Sequence, residues 1–308
     1  MIAKRLEKGD KIAIVSPSAI LTDEEDLEVL SKTVEMMENE GFEIVKGRYA
    51  FSDDTGYGSL PVKKASDLNA AFANPEVKAI FSITGGENCL TTFDYLDWEV
   101  IKNNPKIFCG FSDTTSLLNE INEKTGLITF HGPSFKSIAS GETDYRFKAV
   151  VDRFIKGLDN LAYEEDLQEF KVIREGKAVG KTVGGNLSLT TDLIAGKYKI
   201  DFKDKILLLE DLAWESCPAK ISHDLYKMKY EGIFDQISGI WIGNYDNEIN
   251  FEDILLEVIS DIDFNKPIIK SENFGHCEKK IVIPIGCEVE IDTSKGAPYV
   301  KMVGEFIK

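Results

Sequence analysis

The sequence predicts an α/β protein: an N-terminal α/β domain with a parallel sheet, followed by a smaller, β-rich C-terminal α/β domain. In the first half, short apolar runs alternate with segments whose apolar residues recur at helical spacing. That alternation is typical of a parallel sheet covered by helices on both faces. Near the C-terminus, apolar and polar residues alternate with a period of two, which indicates short strands.

The first domain is predicted to span residues 1–157. Its strands are predicted at residues 11–16, 42–46, 77–84, 106–110 and 127–130. Its helices are predicted at residues 24–40, 63–72, 91–96, from about 114 to 124, and 144–156. Gly41 and the Asn74-Pro75 pair provide stop signals for two of these helices.

The second domain is predicted to span residues 178–308, after a charged linker or crossover at residues 158–177. A glycine-rich, partly β-like segment at residues 176–185 leads into it. Further strands are predicted at residues 205–209, 239–243, 267–270, 281–285, 289–291 and 299–302, and helices at 187–194, 220–230 and 251–260.

Charge and cysteine content exclude several classes of function. A net charge of −17 argues against binding of nucleic acid or of anionic lipid. Five cysteines without C-x-x-C spacing predict neither a disulfide framework nor a zinc site. No stretch has the length of a membrane span, and the N-terminus lacks an apolar signal core. We therefore expect a cytoplasmic protein that needs no metal or cofactor.

Three polar segments follow predicted parallel strands of the first domain. They are Ser16-Pro17-Ser18, Thr84-Gly85-Gly86 and Gly110-Phe111-Ser112. Ligands of open α/β sheets bind at the carboxyl ends of the strands. We therefore expect these segments to contribute to a binding or catalytic site.

Ser112 lies where a buried strand turns directly into a helix. A Gly-x-Ser turn in that context lifts the serine hydroxyl clear of the backbone and makes it a candidate nucleophile. The competing interpretation is an ordinary helix N-cap, and the turn alone favours it.

A serine nucleophile needs a base, and the base needs a carboxylate to orient it. The chain has only three histidines: His131, His223 and His276. His276 follows a glycine in a predicted loop, which suits a cleft, whereas His223 lies within a predicted helix. Glu210 ends an apolar strand, where a buried carboxylate needs a partner. Taken singly, each residue also suits a structural role: an ion pair or helix cap for Glu210, a satisfied loop histidine for His276.

An oxyanion hole requires two N–H donors. The backbone N–H of Asp113 lies at a predicted helix N-terminus, and Gly85 or Gly86 can supply the second donor. A cysteine nucleophile is the other possibility, but Cys109 lies inside a strand, where burial makes a thiol inert. Neither a dinucleotide fingerprint nor a P-loop is present.

Six short motifs occur in a fixed order along almost the whole chain. They are TGG at 84–86, GFSD at 110–113, TFHGP at 129–133, GGNL at 184–187, LLED at 208–211, and GH at 275–276 with PIG at 284–286. In this order they resemble the LD-carboxypeptidase family of serine peptidases, particularly its microcin-immunity (MccF-like) branch.

The resemblance implies a nucleophile at Ser112, an acid at Glu210 and a base at His276. It also implies a homodimer and one of two substrates. LD-carboxypeptidases remove a terminal D-alanine from a murein tetrapeptide, whereas the immunity branch cleaves aminoacyl-nucleotide antibiotics.

Two departures from the family pattern leave the substrate open. LD-carboxypeptidases usually carry Arg-Gly-Gly-Tyr-Gly where this chain has residues 84–88, TGGEN, which favours the immunity branch. That branch tends to carry a tryptophan before Gly-Gly-Asn for stacking on the nucleotide base, and here the residue is Val183. Two other functions stay open: a non-catalytic two-domain protein that binds a small ligand, and a cysteine hydrolase, which thiol alkylation would inactivate.

Overall fold

The computed structural model describes residues 1–140, 144–159, 161, 170–212, 217–245, 250–293 and 298–308. Its internal contacts divide the chain into a first unit, residues 1–158 with 306–308, and a second unit, residues 159–305. The predicted α/β class with two sheets is confirmed. No helix in these ranges is long and apolar enough to cross a membrane.

The first unit contains a parallel sheet. Its strands are β1 (Lys11–Val15), β2 (Glu43–Lys46), β3 (Val77–Ser82), β4 (Ile107–Gly110) and β5 (Thr129–His131). They lie in the order β5-β4-β3-β1-β2, with each of these neighbours paired in parallel. The helices are α1 (Glu24–Asn39), α2 (Pro61–Ala73), α3 (Trp98–Asn103), α4 (Thr114–Thr125) and α5 (Tyr145–Val150).

Most of β1, β3 and β4 is buried, which is why these strands are continuous apolar runs rather than alternating ones. Helix α3 was not predicted, because its six residues are too few to show a helical period. The predicted helix at 144–156 is an α-helix only as far as Val150, and a π-helical turn continues it over Val151–Ile155.

The second unit contains a mixed sheet. Its strands are β6 (Lys171–Arg174), β7 (Lys177–Asn186), β8 (Ile206–Glu210), β9 (Gly239–Ile242), β10 (Ile268–Lys270), β11 (Ile283–Ile285), β12 (Glu288–Asp292) and β13 (Tyr299–Met302). Seven of these strands, all except β11, form the mixed sheet, in the order β13-β12-β7-β8-β9-β10-β6. Its central strands β7 to β10 are parallel, and the flanking strands pair antiparallel. The helices are α6 (Leu187–Thr191), α7 (Pro218–Tyr230), α8 (Ile233–Gln236) and α9 (Phe251–Val258).

The predicted linker at residues 158–177 falls partly outside the described residues, which omit 160 and 162–169. Its later part is strand β6, which pairs antiparallel with β10. Charged residues at both ends of this short strand, Lys171 and Arg174, obscured its β pattern in the sequence.

Candidate active site

Three loops at the carboxyl ends of β1, β3 and β4 meet in the first unit, as predicted. The N–H of Ala19 donates to the carbonyl oxygen of Gly85 at 3.3 Å. A Cβ atom added at Gly85 would lie 2.9 Å from Cβ of Ser112, and one at Gly86 would lie 2.5 Å from Cβ of Ala19. Glycine at 85 therefore lets the backbone approach Ser112 closely, and glycine at 86 lets it approach the loop after β1.

Ser112 has a φ of 58°, in the left-handed region that L-residues avoid. Strain at a serine between a strand and a helix is the geometry of a nucleophile turn. The N-cap position of α4 belongs to Asp113, so Ser112 is not the helix cap. Gly110 is needed two residues earlier, because a Cβ atom there would lie 2.8 Å from Cγ2 of Thr114.

The backbone donors predicted for an oxyanion hole are close to this serine in the chain or in space. Within the described ranges, the N–H groups of Asp113, Gly85 and Gly86 donate no hydrogen bond. Asp113 also precedes the first turn of the 12-residue helix α4, where the helix dipole favours negative charge.

The side chain of Asp113 is a feature that sequence reasoning missed. It is fully buried, and its Oδ2 accepts hydrogen bonds from Oγ of Ser18 and, at 2.8 Å, from the N–H of Cys89. Burial raises the pKa of the Asp113 carboxyl, and the Ser18 hydrogen bond works in the opposite direction. Nothing local in the sequence predicts these contacts, since Ser18 is 95 positions away along the chain.

Glu210 and His276 come together in the second unit. Nδ1 of His276 lies 2.8 Å from Oε2 of Glu210. Glu210 ends β8 and is fully buried, whereas the His276 side chain retains 14% of its exposure. Because a carboxylate accepts, this bond holds a proton on Nδ1 and leaves the lone pair of the neutral ring on Nε2.

The loop that carries His276 is fixed by aromatic packing. The ring of Phe274 packs edge-on against Trp241 with centroids 5.1 Å apart. A Cβ atom at Gly243 would lie 2.6 Å from the Phe274 ring, so glycine is required there. The N–H of Asn244 donates to the carbonyl oxygen of Phe274 at 2.9 Å, which ties the loop to the end of β9.

A second buried carboxylate links two of the sequence motifs. Oδ1 of Asp211 accepts from Nδ2 of Asn186 at 2.8 Å, and Oδ2 accepts from Oγ of Ser188 at 2.8 Å. Asn186 pairs with Glu210 in the register of β7 and β8. The Gly-Gly-Asn-Leu and Leu-Leu-Glu-Asp motifs are therefore one structural unit, which holds the strand end that presents Glu210.

The remaining candidates occupy other environments. His131 is fully buried at the end of β5, with its ring edge-on to Phe111. His223 is exposed on α7, as predicted, and Cys109 is buried within β4. Among the residues that the structure describes, no three His, Cys, Asp or Glu side chains are grouped to hold a metal ion.

A strained Gly-x-Ser turn and a buried Glu–His pair are groups of the kind that hydrolases use in nucleophilic catalysis. Comparison with family models makes the assignment specific. The LD-carboxypeptidase N-terminal domain matches residues 12–132, and the LD-carboxypeptidase C-terminal domain matches residues 179–291. The chain belongs to the LD-carboxypeptidase family, which confirms the resemblance seen in the sequence.

Similar proteins include one named as a carboxypeptidase and one named as a microcin-immunity protein, the two kinds that the motifs suggest. The chain is 30% identical over 302 residues to the probable murein peptide carboxypeptidase of Bacillus subtilis (strain 168), covering 95% of this chain and 92% of that protein. It is 27% identical to the microcin C7 self-immunity protein MccF of Escherichia coli, covering 95% and 93%.

Solved structures share the fold. An MccF-like protein from Bacillus anthracis strain Ames aligns with a TM-score of 0.85 at 30% identity over 99% of both chains. The microcin C7 self-immunity protein MccF in complex with aspartyl sulfamoyl adenosine aligns with a TM-score of 0.88 at 24% identity over 100% of both chains, which is a likeness of fold.

Proposed function

We propose that this protein is a serine-type amide hydrolase of the LD-carboxypeptidase kind, with Ser112 as nucleophile, His276 as base and Glu210 as its orienting acid. The observation that carries the proposal is the φ of 58° at Ser112, beside the backbone of Gly85. A serine with a purely structural role has no need of this strain. The hydrogen bond of 2.8 Å between Glu210 and His276 supplies the second half of the machinery.

In the proposed reaction, Nε2 of His276 takes the proton of Ser112 as Oγ attacks the amide carbonyl carbon. The negative charge that develops on the carbonyl oxygen is stabilised by the N–H of Asp113 and that of Gly85 or Gly86, each worth about 3 kcal/mol. The imidazolium, stabilised by Glu210, then gives its proton to the leaving amine. Water hydrolyses the resulting acyl-enzyme by the same proton transfers in reverse, which releases the acid and restores Ser112.

The L,D-amide of a murein peptide is the first candidate substrate. Val183 supports it, because this residue lies in β7 and is only 3% exposed, so position 183 offers no ring for a nucleotide base. An aminoacyl-nucleotide is the second candidate, supported by the departure of residues 84–88 from the usual carboxypeptidase pattern. We also propose that the protein is a cytoplasmic homodimer. Sedimentation velocity would test whether it dimerises.

The deciding experiment compares the native protein with Ser112→Ala on a murein L,D-tetrapeptide and on aspartyl sulfamoyl adenosine. We expect turnover of one substrate by the native protein, none by the variant, and unchanged thermal unfolding. Turnover that survives in the variant would overturn the proposal. Binding without turnover by both proteins would favour the ligand-binding alternative, and loss of activity on thiol alkylation would favour a cysteine hydrolase.

A further inference from the structure

The Asp113 side chain takes no part in the steps above, yet it is fully buried directly after Ser112. We propose, resting on the function proposed above, that Asp113 is a positioning residue. Its carboxylate holds the Gly85–Gly86 loop against the Ser112 turn, so that N–H groups from both segments point at one oxyanion.

One oxygen of Asp113 connects three loops of the first unit. Oδ2 accepts from Oγ of Ser18, in the loop after β1, and from the N–H of Cys89, at 2.8 Å, three residues after Gly86. The backbone of Asp113 itself belongs to the turn after β4. Both proposed sources of oxyanion donors are therefore bound to the same carboxylate.

Other contacts between these loops are weaker. The hydrogen bond from Ala19 to the Gly85 carbonyl is 3.3 Å long. Oγ of Ser18 also lies 3.5 Å from the carbonyl oxygen of Glu87, which is a long contact. The strain at Ser112 also favours relaxation of the turn whenever its surroundings loosen. Without the carboxylate, we expect the two segments to separate, and misplacement by about 1 Å costs on the order of 100-fold in rate.

Position rather than charge is what the carboxylate contributes. A negative charge beside a developing oxyanion opposes catalysis, so its charge by itself brings no advantage. The ammonium of Lys64, which is 3% exposed and donates to the Ser18 carbonyl oxygen, counters that charge. Because both donors use Oδ2, the amide oxygen of an asparagine at 113 can accept both bonds. We therefore expect Asp113→Asn to work far better than Asp113→Ala.

The experiment compares Asp113→Ala, Asp113→Asn and Ser18→Ala with the native full-length protein. Glu120→Ala serves as the matched control, since Glu120 is another fully buried carboxylate of the same segment, on α4 and away from the turn. Three quantities are measured for each: the thermal midpoint, kcat and KM on the substrate that is turned over, and the second-order rate of labelling by a fluorophosphonate.

For Asp113→Ala we expect kcat and the labelling rate to fall about 100- to 1,000-fold, the loss typical of one oxyanion donor, with KM within about threefold of native. Asp113→Asn should stay within about tenfold of native, and Ser18→Ala should fall between the two. Glu120→Ala should lower the thermal midpoint and leave kcat and labelling unchanged. A merely structural Asp113 would behave like Glu120.

A folded Asp113→Ala protein with native kcat and labelling rate would overturn the inference. If Asp113→Ala does not fold, Ser18→Ala decides, and an unchanged labelling rate there overturns it equally. Ser112→Ala distinguishes failure of the proposed function from failure of the positioning role. Labelling or turnover that persists in Ser112→Ala sinks the proposed function itself, whereas an inert Ser112→Ala with a native-like Asp113→Ala sinks only the positioning role.

Discussion

Gly275 and Glu210 approach so closely that a Cβ atom at position 275 would lie 2.6 Å from Oε2 of Glu210. The same oxygen lies 2.8 Å from Nδ1 of His276. Residue 275 also has a φ of +94°, which favours glycine. Glycine at position 275 is therefore a structural requirement of the Glu210–His276 pair.

Gly275→Ala should displace either the carboxylate or the imidazole. We expect kcat/KM to fall at least about 100-fold, because a misdirected base transfers protons poorly. Steady-state kinetics at a temperature where the variant is folded would measure this.

Gly196→Ala is the matched control for that substitution. Gly196 has a similar φ of +80°, but an added Cβ atom there meets no atom within 4 Å. It should carry the backbone strain, about 1 kcal/mol, without any loss of activity. Equal activity losses in both variants would mean that the loss comes from backbone strain and not from displacement of Glu210 or His276.

Ser112→Gly should be inactive yet more stable than Ser112→Ala. A left-handed φ costs an L-residue about 1–2 kcal/mol, and glycine escapes this at an entropic cost of about 0.5–1 kcal/mol. We expect a net advantage of about 0.5–1 kcal/mol in the free energy of unfolding, measured by urea denaturation. At Ser31, inside helix α1, the order should reverse, with glycine less stable than alanine. Equal stabilities at position 112 would mean that no strain is stored there.

Activity should decline at acidic pH as the His276 imidazole gains a proton, since only the neutral ring can accept the Ser112 proton. Protonation removes the lone pair on Nε2, so kcat/KM is expected to fall as pH falls. A pH profile under chemistry-limited conditions, with circular dichroism recorded at each pH, would check this. A flat profile over a folded protein would contradict His276 as the base.

Local signals in the sequence predicted much of this arrangement. Burial of whole strands produced continuous apolar runs, and glycine before Ser112 and His276 marked tight turns. The role of the Asp113 side chain could not be predicted, because its partner Ser18 is distant in the chain and becomes a neighbour only through the parallel order of β1, β3 and β4. The strand at 171–174 was not predicted, because its pairing with β10 is a long-range contact that no local sequence pattern reveals.

Asn186→Ala should destabilise the second unit. Its side chain donates to Asp211 at 2.8 Å and accepts from the N–H of Leu189 at 3.1 Å, capping α6. Loss of a hydrogen bond to a buried charge and of a cap should together cost about 2–4 kcal/mol. Ser188→Ala removes the hydrogen bond from the Ser188 hydroxyl to Asp211 and keeps the one from the Ser188 N–H. It should lower the free energy of unfolding by about half as much. Equal losses in urea denaturation would show that the cap contributes nothing.

Glu290 should make stability depend on pH in the acidic range. Hydrogen bonds from Lys301, Tyr299 and Lys177 lower the pKa of its carboxyl to about 2, from an ordinary value of 4.5. A lowered pKa means that the folded state binds the proton less readily than the unfolded chain. The stabilisation is therefore complete above about pH 4.5 and is lost as pH falls toward about 2.

Glu290→Gln should lower the urea midpoint at pH 7 and converge with the native protein near pH 2. Because the lysines of these ion pairs are exposed to solvent, 0.5 M NaCl should shrink the difference at pH 7. At that concentration the screening length is only about 4 Å. Glu288→Gln, an exposed carboxylate on the same strand β12, should show neither the shift nor the convergence. A difference between Glu290→Gln and native that is the same at pH 2 and pH 7 would mean that the lost contacts act through packing, because a charge effect must vanish once the native carboxyl is protonated.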